Sequence, residues 1–148
     1  MSVSQISRLT RPISLPDARI MIVEDKVDNY ATLARLLIFS GVIPAHFDFK
    51  TTGRGVVQFA DTLPRLDLIL LDLELPGEDG YEVLSEIRRM TRFQNTLVVA
   101  VTGHTAVEDM RKAQRVGFDG FLGKPLSLTR FPDQLTKILR GQPVWENR

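Results

Sequence analysis

The sequence predicts an α/β protein, a doubly wound five-stranded parallel sheet with helices on both faces. Three observations predict it. Apolar runs of strand length alternate with helical patterns five times over. Two of the runs, Leu68–Leu71 and 96–101, are continuously apolar or nearly so, as strands covered on both faces must be. The connections are short, so each helix has to carry the chain back to start a parallel neighbour, with right-handed crossovers.

Taken in order, residues 1–18 are Ser-rich and interrupted by Pro12 and Pro16, and read as a flexible arm carrying Arg8 and Arg11. Ile20–Val23 form the first strand and stop at Glu24 and Asp25. Asp28 or Asn29 then caps a helix whose apolar face is Val27, Ala31, Ala34, Leu37 and Ile38, ended by Gly41. A second strand lies within 42–49, with Pro44 confining it to an edge or a late start. A helix spans about 53–63, with Pro64 beyond it. The third strand enters LDLILLDLELPGEDG, Leu66 through Gly80, where the apolar run meets Asp72 and a Pro-Gly turn. A helix over 81–90 turns Leu84 and Ile87 inward. The fourth strand ends in Thr102, and the helix after it, 105–116, carries Val107, Met110 and Ala113 on one side. The fifth strand, 118–122, runs into Gly123, Lys124 and Pro125. A last helix, 128–140, buries Leu128, Phe131, Leu135 and Ile138 with Pro132 in its first turn. Residues 19–140 form the domain, and 141–148 a tail that includes Trp145.

Composition narrows the function. The 148 residues make one ordinary domain, 43% hydrophobic and 25% charged. A formal charge of +1 supplies no field for nucleic acid or anionic lipid. There are no cysteines, which excludes disulfides, thiolate zinc sites and thiol chemistry. No apolar run approaches the ~20 residues of a membrane span. The first residues lack the apolar core of a secretory signal. A cytoplasmic protein is expected.

Polar residues collect where the apolar runs stop: Glu24 and Asp25, Asp72, Thr102 and Lys124. In a parallel sheet these positions share one rim, the usual ligand edge of open α/β folds. Two carboxylates about 5 Å apart repel by roughly 3 kcal/mol at an effective dielectric near 20, so such a cluster calls for cations. Mg²⁺ (or Mn²⁺) together with one ammonium restores balance and leaves room for a phosphate oxygen. The set suits phosphoryl transfer to Asp72, with Lys124 and Thr102 contacting the transferred group.

At these residues the chain resembles the receiver domain of bacterial two-component response regulators, the family of the chemotaxis receiver, over residues 19–140. IMIVED resembles the family's acidic pair, LILLDLELPGEDG its phosphoacceptor loop, VVAVTGH its switch threonine and GFDGFLGKP its lysine-proline strand end. The resemblance implies a flavodoxin-like strand order 2-1-3-4-5. It implies a phosphoryl group on Asp72, Mg²⁺ on Asp25 and Asp72, Glu24 as an indirect ligand, and the backbone carbonyl of Glu74 completing the set. It implies phosphoryl contacts from Thr102 and Lys124, a switch pairing Thr102 with Phe121, and a cis peptide before Pro125. Glu74 and His104 fall where the family varies and tunes phosphoryl lifetime. The Glu74 carboxylate could repel the attacking water, position it, or face solvent, and solvent is the preferred reading. His104 could take a proton from water, although a lone exposed histidine is usually incidental.

The expected function is therefore a single-domain response regulator, not an enzyme beyond its own phosphorylation and dephosphorylation. Its donor is a histidine kinase or phosphotransfer protein. Phosphorylation draws Thr102 inward, Phe121 fills the vacated space, and a partner protein reads helix four, strand five and helix five. Only eight residues follow Arg140, so no output domain is expected. The chain is expected as a monomer or a phosphorylation-dependent dimer, without nucleic acid or membrane insertion. Two rival readings are a phosphorylation-independent interaction module and a haloacid-dehalogenase-like phosphatase. The phosphatase motif needs an aspartate where Glu74 stands and usually lies on the first strand.

Overall fold

A computed structural model describes residues 8–76 and 79–148. Gly77 of the expected Pro-Gly turn and the first seven residues of the arm lie outside them. The elements are β1 (Ile20–Val23), α1 (Val27–Ser40), β2 (Phe47–Lys50), α2 (Val56–Asp61), β3 (Leu68–Leu71), α3 (Gly80–Arg89), β4 (Leu97–Thr102), α4 (Val107–Val116), β5 (Gly120–Gly123), α5 (Phe131–Leu139) and β6 (Trp145–Glu146). The sheet is parallel throughout, in the order β2-β1-β3-β4-β5-β6. This is the flavodoxin-like arrangement with a sixth strand, where five were expected. The sixth comes from the expected tail. Val144 is buried, and Trp145 and Glu146 pair in register with Phe121 and Leu122.

Strand alternation divides the interior into two cores. Ile20, Ile22, Leu68, Leu70 and Val99 face α1 and α5, while Met21, Val23, Ile69, Leu71 and Val98 face α2, α3 and α4. Both faces of the central strands are covered, which is why their sequences are apolar without a break.

Several local expectations shift. The buried face of α1 is Leu33, Leu36 and Leu37, while Val27 and Ile38 are 63% and 48% exposed. Three leucines spaced three and four apart dominate the helix orientation over the smaller alanines. Lys26, without a side-chain capping hydrogen bond, takes the N-cap position expected for Asp28 or Asn29, and Asp28 lies in the first turn, where the helix dipole favours it. Pro44–His46 form a 3₁₀ turn that delays β2 to Phe47. Leu128 is exposed because α5 begins only at Phe131, with Pro132 in its first turn as expected. In α4 only Ala113 is buried, and Val107 is exposed.

Residues 8–18 also depart from a loose arm. Ile13 N–H donates to the Leu139 carbonyl at 2.8 Å, and Leu9, Ile13 and Leu15 pack against the α1/α5 core. Arg8 reaches Asp119 at 2.9 Å. Among the described residues, no helix is long and apolar enough to cross a membrane.

Candidate functional site

The register Val23↔Leu71 places β1 and β3 side by side, so the residues just past their ends meet. Carboxylate oxygens of Glu24, Asp25 and Asp72 all lie within 4.8 Å of one another. Glu24 and Asp72 are buried, 1% and 5% exposed. From beyond β5, Lys124 reaches across to Glu24 Oε1 at 2.5 Å and Asp72 Oδ2 at 3.4 Å. Backbone donors hold the acids in place: Glu74 N–H on Asp72 Oδ1 at 2.9 Å and Lys26 N–H on Glu24 Oε2 at 3.3 Å. Among the described residues, Asp25 Oδ1 is buried with no hydrogen-bond partner.

Among the described residues the cluster is under-neutralised, because three carboxylates face a single lysine ammonium. A buried carboxylate oxygen without a donor is costly unless something cationic or protic completes it. An all-oxygen donor set with one orphaned oxygen fits a hard divalent cation better than it fits a closed structural network.

Thr102 ends β4 and is fully buried. Its hydroxyl donates to Glu74 Oε1 at 3.3 Å and accepts the His104 N–H at 3.1 Å. His104 Nε2 lies 3.5 Å from the same Glu74 oxygen. Glu74 therefore does more than face solvent: its side chain, 40% exposed, accepts the Thr102 hydroxyl. His104 is likewise a partner of Glu74 and not an isolated surface histidine. Sequence reasoning marked both positions but could not foresee the contact, because side-chain direction in a loop has no periodic signature.

Phe121 is fully buried in the α2/α3/α4 core and lies beside Trp145 in register. The Lys124–Pro125 peptide is cis, as the resemblance implied. Lys124 N–H donates to the Thr102 carbonyl at 2.8 Å, which joins the lysine and the threonine through the backbone. His46, distant from these groups, contacts the Pro16 carbonyl at 3.0 Å.

The profile of the response regulator receiver domain matches residues 20–136. The transcriptional regulatory protein TcrA of Mycobacterium tuberculosis is 34% identical over 126 residues, covering 85% of this chain and 47% of that protein. The signal transduction histidine-protein kinase BarA of Escherichia coli is 28% identical over 125 residues, 84% of this chain but 13% of the kinase. The chain thus spans less than half the length of these two relatives. Among solved structures, the chemotaxis response regulator CheY4 of Vibrio cholerae matches with a TM-score of 0.72 at 22% identity, covering 82% of this chain and 98% of that one. The receiver domain of the sensor histidine kinase PA1611 from Pseudomonas aeruginosa, solved with a magnesium ion in its active site cleft, matches with a TM-score of 0.70. Its identity is 25%, over 83% of this chain and 97% of that one.

Proposed function

The chain belongs to the response regulator receiver domain family, and on that premise we propose that Asp72 accepts a phosphoryl group from a phosphohistidine of a histidine kinase or phosphotransfer protein. The observation that carries this reading is the under-neutralised acid cluster with its orphaned Asp25 oxygen. Asp25 and Asp72 would hold a divalent ion directly, with the Glu74 carbonyl as a third protein ligand and Glu24 acting at one remove. Mg²⁺ or Mn²⁺ bound there supplies Lewis-acid stabilisation of the phosphoryl oxygens.

Transfer forms one bond, from an Asp72 carboxylate oxygen to phosphorus, and breaks the phosphorus–nitrogen bond in line with it, the electron pair leaving with the imidazole. The Glu74 N–H on Asp72 Oδ1 fixes the plane of the nucleophile. Lys124, already 3.4 Å from Asp72 Oδ2, is placed to neutralise an oxygen of the arriving group. Thr102 gives up Glu74 and donates its hydroxyl to a second phosphoryl oxygen. Hydrolysis reverses the gain: water attacks phosphorus, the bond to the carboxylate breaks, and Asp72 is restored with release of phosphate.

Replacing a carboxylate by an acyl phosphate adds charge and acceptor oxygens beside Thr102. The change is passed to a downstream protein through α4, β5 and α5. Receivers of this family are signalling modules, and this chain is read as one.

Intact mass after incubation with Mg²⁺ and a small phosphodonor tests the proposal. The wild type is expected to gain one labile phosphoryl group and Asp72→Asn none. A wild type that stays unmodified refutes the reading and favours a phosphorylation-independent module, and turnover of added phosphomonoesters indicates a phosphatase.

A further inference from the structure

The edge of β5 is occupied by the chain itself. Phe121 N–H donates to the Val144 carbonyl at 2.9 Å, and β6 then continues beside Phe121 and Leu122. Glu146 accepts from Gln134 Nε2 at 3.1 Å and lies 3.3 Å from Arg130 Nη1, both on the α5 side. Asn147 Nδ2 donates to the Thr105 carbonyl at 2.9 Å, in the loop between β4 and α4. Residues 144–147 thus touch the β4–α4 loop, β5 and α5 together.

β5 is shaped for this occupant. A Cβ on Gly123 would stand 2.4 Å from the Asn147 carbonyl oxygen and 2.9 Å from Thr105 Cγ2, and one on Gly120 would stand 2.9 Å from the Val144 oxygen. The missing side chains make room for another backbone. Gly123 is also the register partner of Thr102. The end of the tail, the end of β5 and the loop that follows the switch threonine therefore meet at one point. Val144 is anchored in the core, but beyond it the attachment is slight, because β6 is two residues long and both are only part-buried. An edge strand that short opens at low cost.

We propose that the β5 edge is a strand-addition surface that residues 144–147 occupy while Asp72 is unphosphorylated, and that phosphorylation frees it for an extended partner segment with adjacent aromatic and acidic residues. The inference rests on the phosphoacceptor reading of Asp72. When the Thr102 hydroxyl passes from Glu74 to a phosphoryl oxygen, the loop behind it moves, and Thr105 withdraws the carbonyl that holds Asn147. The partner then adds to β5 through main-chain hydrogen bonds, its aromatic over Phe121 and its acid toward Arg130 and Gln134.

Trp145 is the only tryptophan, so its emission reports β6 alone. The full chain is incubated with Mg²⁺ and a small phosphodonor, with intact mass, amide exchange and fluorescence followed together. In the phosphorylated chain the amides of residues 145–147 are expected to exchange about tenfold faster and the Trp145 emission to shift to the red. Asn147→Ala, which cuts the tie to Thr105 without touching the acids, is expected to speed that exchange before any donor is added. A labelled peptide copying residues 142–148 is expected to bind the phosphorylated chain at about millimolar concentration, the level a tethered competitor commands, and not the unphosphorylated one. An adduct on Asp72 with unchanged exchange and emission overturns this inference and leaves the receiver reading standing. An unmodified Asp72 overturns both. Failure of the peptide to bind the phosphorylated chain overturns the strand-addition surface.

Discussion

At the N-terminal ends of β4 and β5, Asp119 accepts from Arg8 at 2.9 Å, from Arg88 at 2.5 Å and from the Val98 N–H at 2.9 Å. At the opposite rim, among the described residues, Asp25 keeps a buried oxygen without a donor, beside two further acids and one lysine. The first acid sits between two guanidiniums and ties the N-terminal segment, α3 and the starts of two strands together. Burial lowers the pKa of Arg88 from the ordinary arginine value, and Asp119 pulls it back up. The second acid sits where negative charge exceeds positive, a condition that favours capture of a cation. The same side chain is thus structural where its neighbours complete it and ligand-seeking where they do not.

Substitutions can break or sharpen that contrast. Asp72→Asn is expected to have the largest effect, complete loss of the phosphoryl adduct by intact mass. Asp119→Asn leaves two guanidiniums without their counter-ion, and is expected to cost about 2–3 kcal/mol in denaturant unfolding, since breaking a part-buried pair strands the remaining charge. The corresponding change at the other rim has the opposite sign. With divalent ions chelated, Asp25→Asn relieves repulsion and is expected to stabilise by about 1 kcal/mol. Equal destabilisation by both variants would erase the distinction.

Smaller effects refine it. Glu74→Ala removes the acceptor that holds the Thr102 hydroxyl. If that hydrogen bond contributes about 1 kcal/mol, phosphorylation from a small donor should run roughly fivefold faster. Arg8→Ala loses one third-exposed partner of Asp119 while Arg88 remains, and is expected to cost less than about 1 kcal/mol.

What could be read before the structure follows the same division. The apolar runs of β1, β3 and β4 announce a covered parallel sheet because both faces of each strand are buried, and the polar residues ending those runs must then share a rim. The convergence of Asp72, Asp25, Lys124 and Thr102 at one rim is legible for that reason, and their roles are not. β6 was not, because two residues have no periodicity; its signal lay in Gly120 and Gly123, whose bare Cα atoms admit a backbone that only the folded sheet brings near. Arg8 was placed in a loose arm because its partner is 111 residues away. The expected face of α1 holds Leu37 but takes Val27 and Ile38 in place of Leu33 and Leu36, whose bulk turns the helix. Nothing local in the sequence reveals that the Glu74 side chain bends back to Thr102 instead of facing solvent.

Titration of Mg²⁺ into the full chain by calorimetry tests most directly that the acid cluster is a cation site. Binding of one ion to the wild type, weakened roughly tenfold or more by Asp25→Asn and unaltered by Arg8→Ala, is the predicted result. An Asp25→Asn chain that binds Mg²⁺ as the wild type does, or a wild type that binds none, would contradict it.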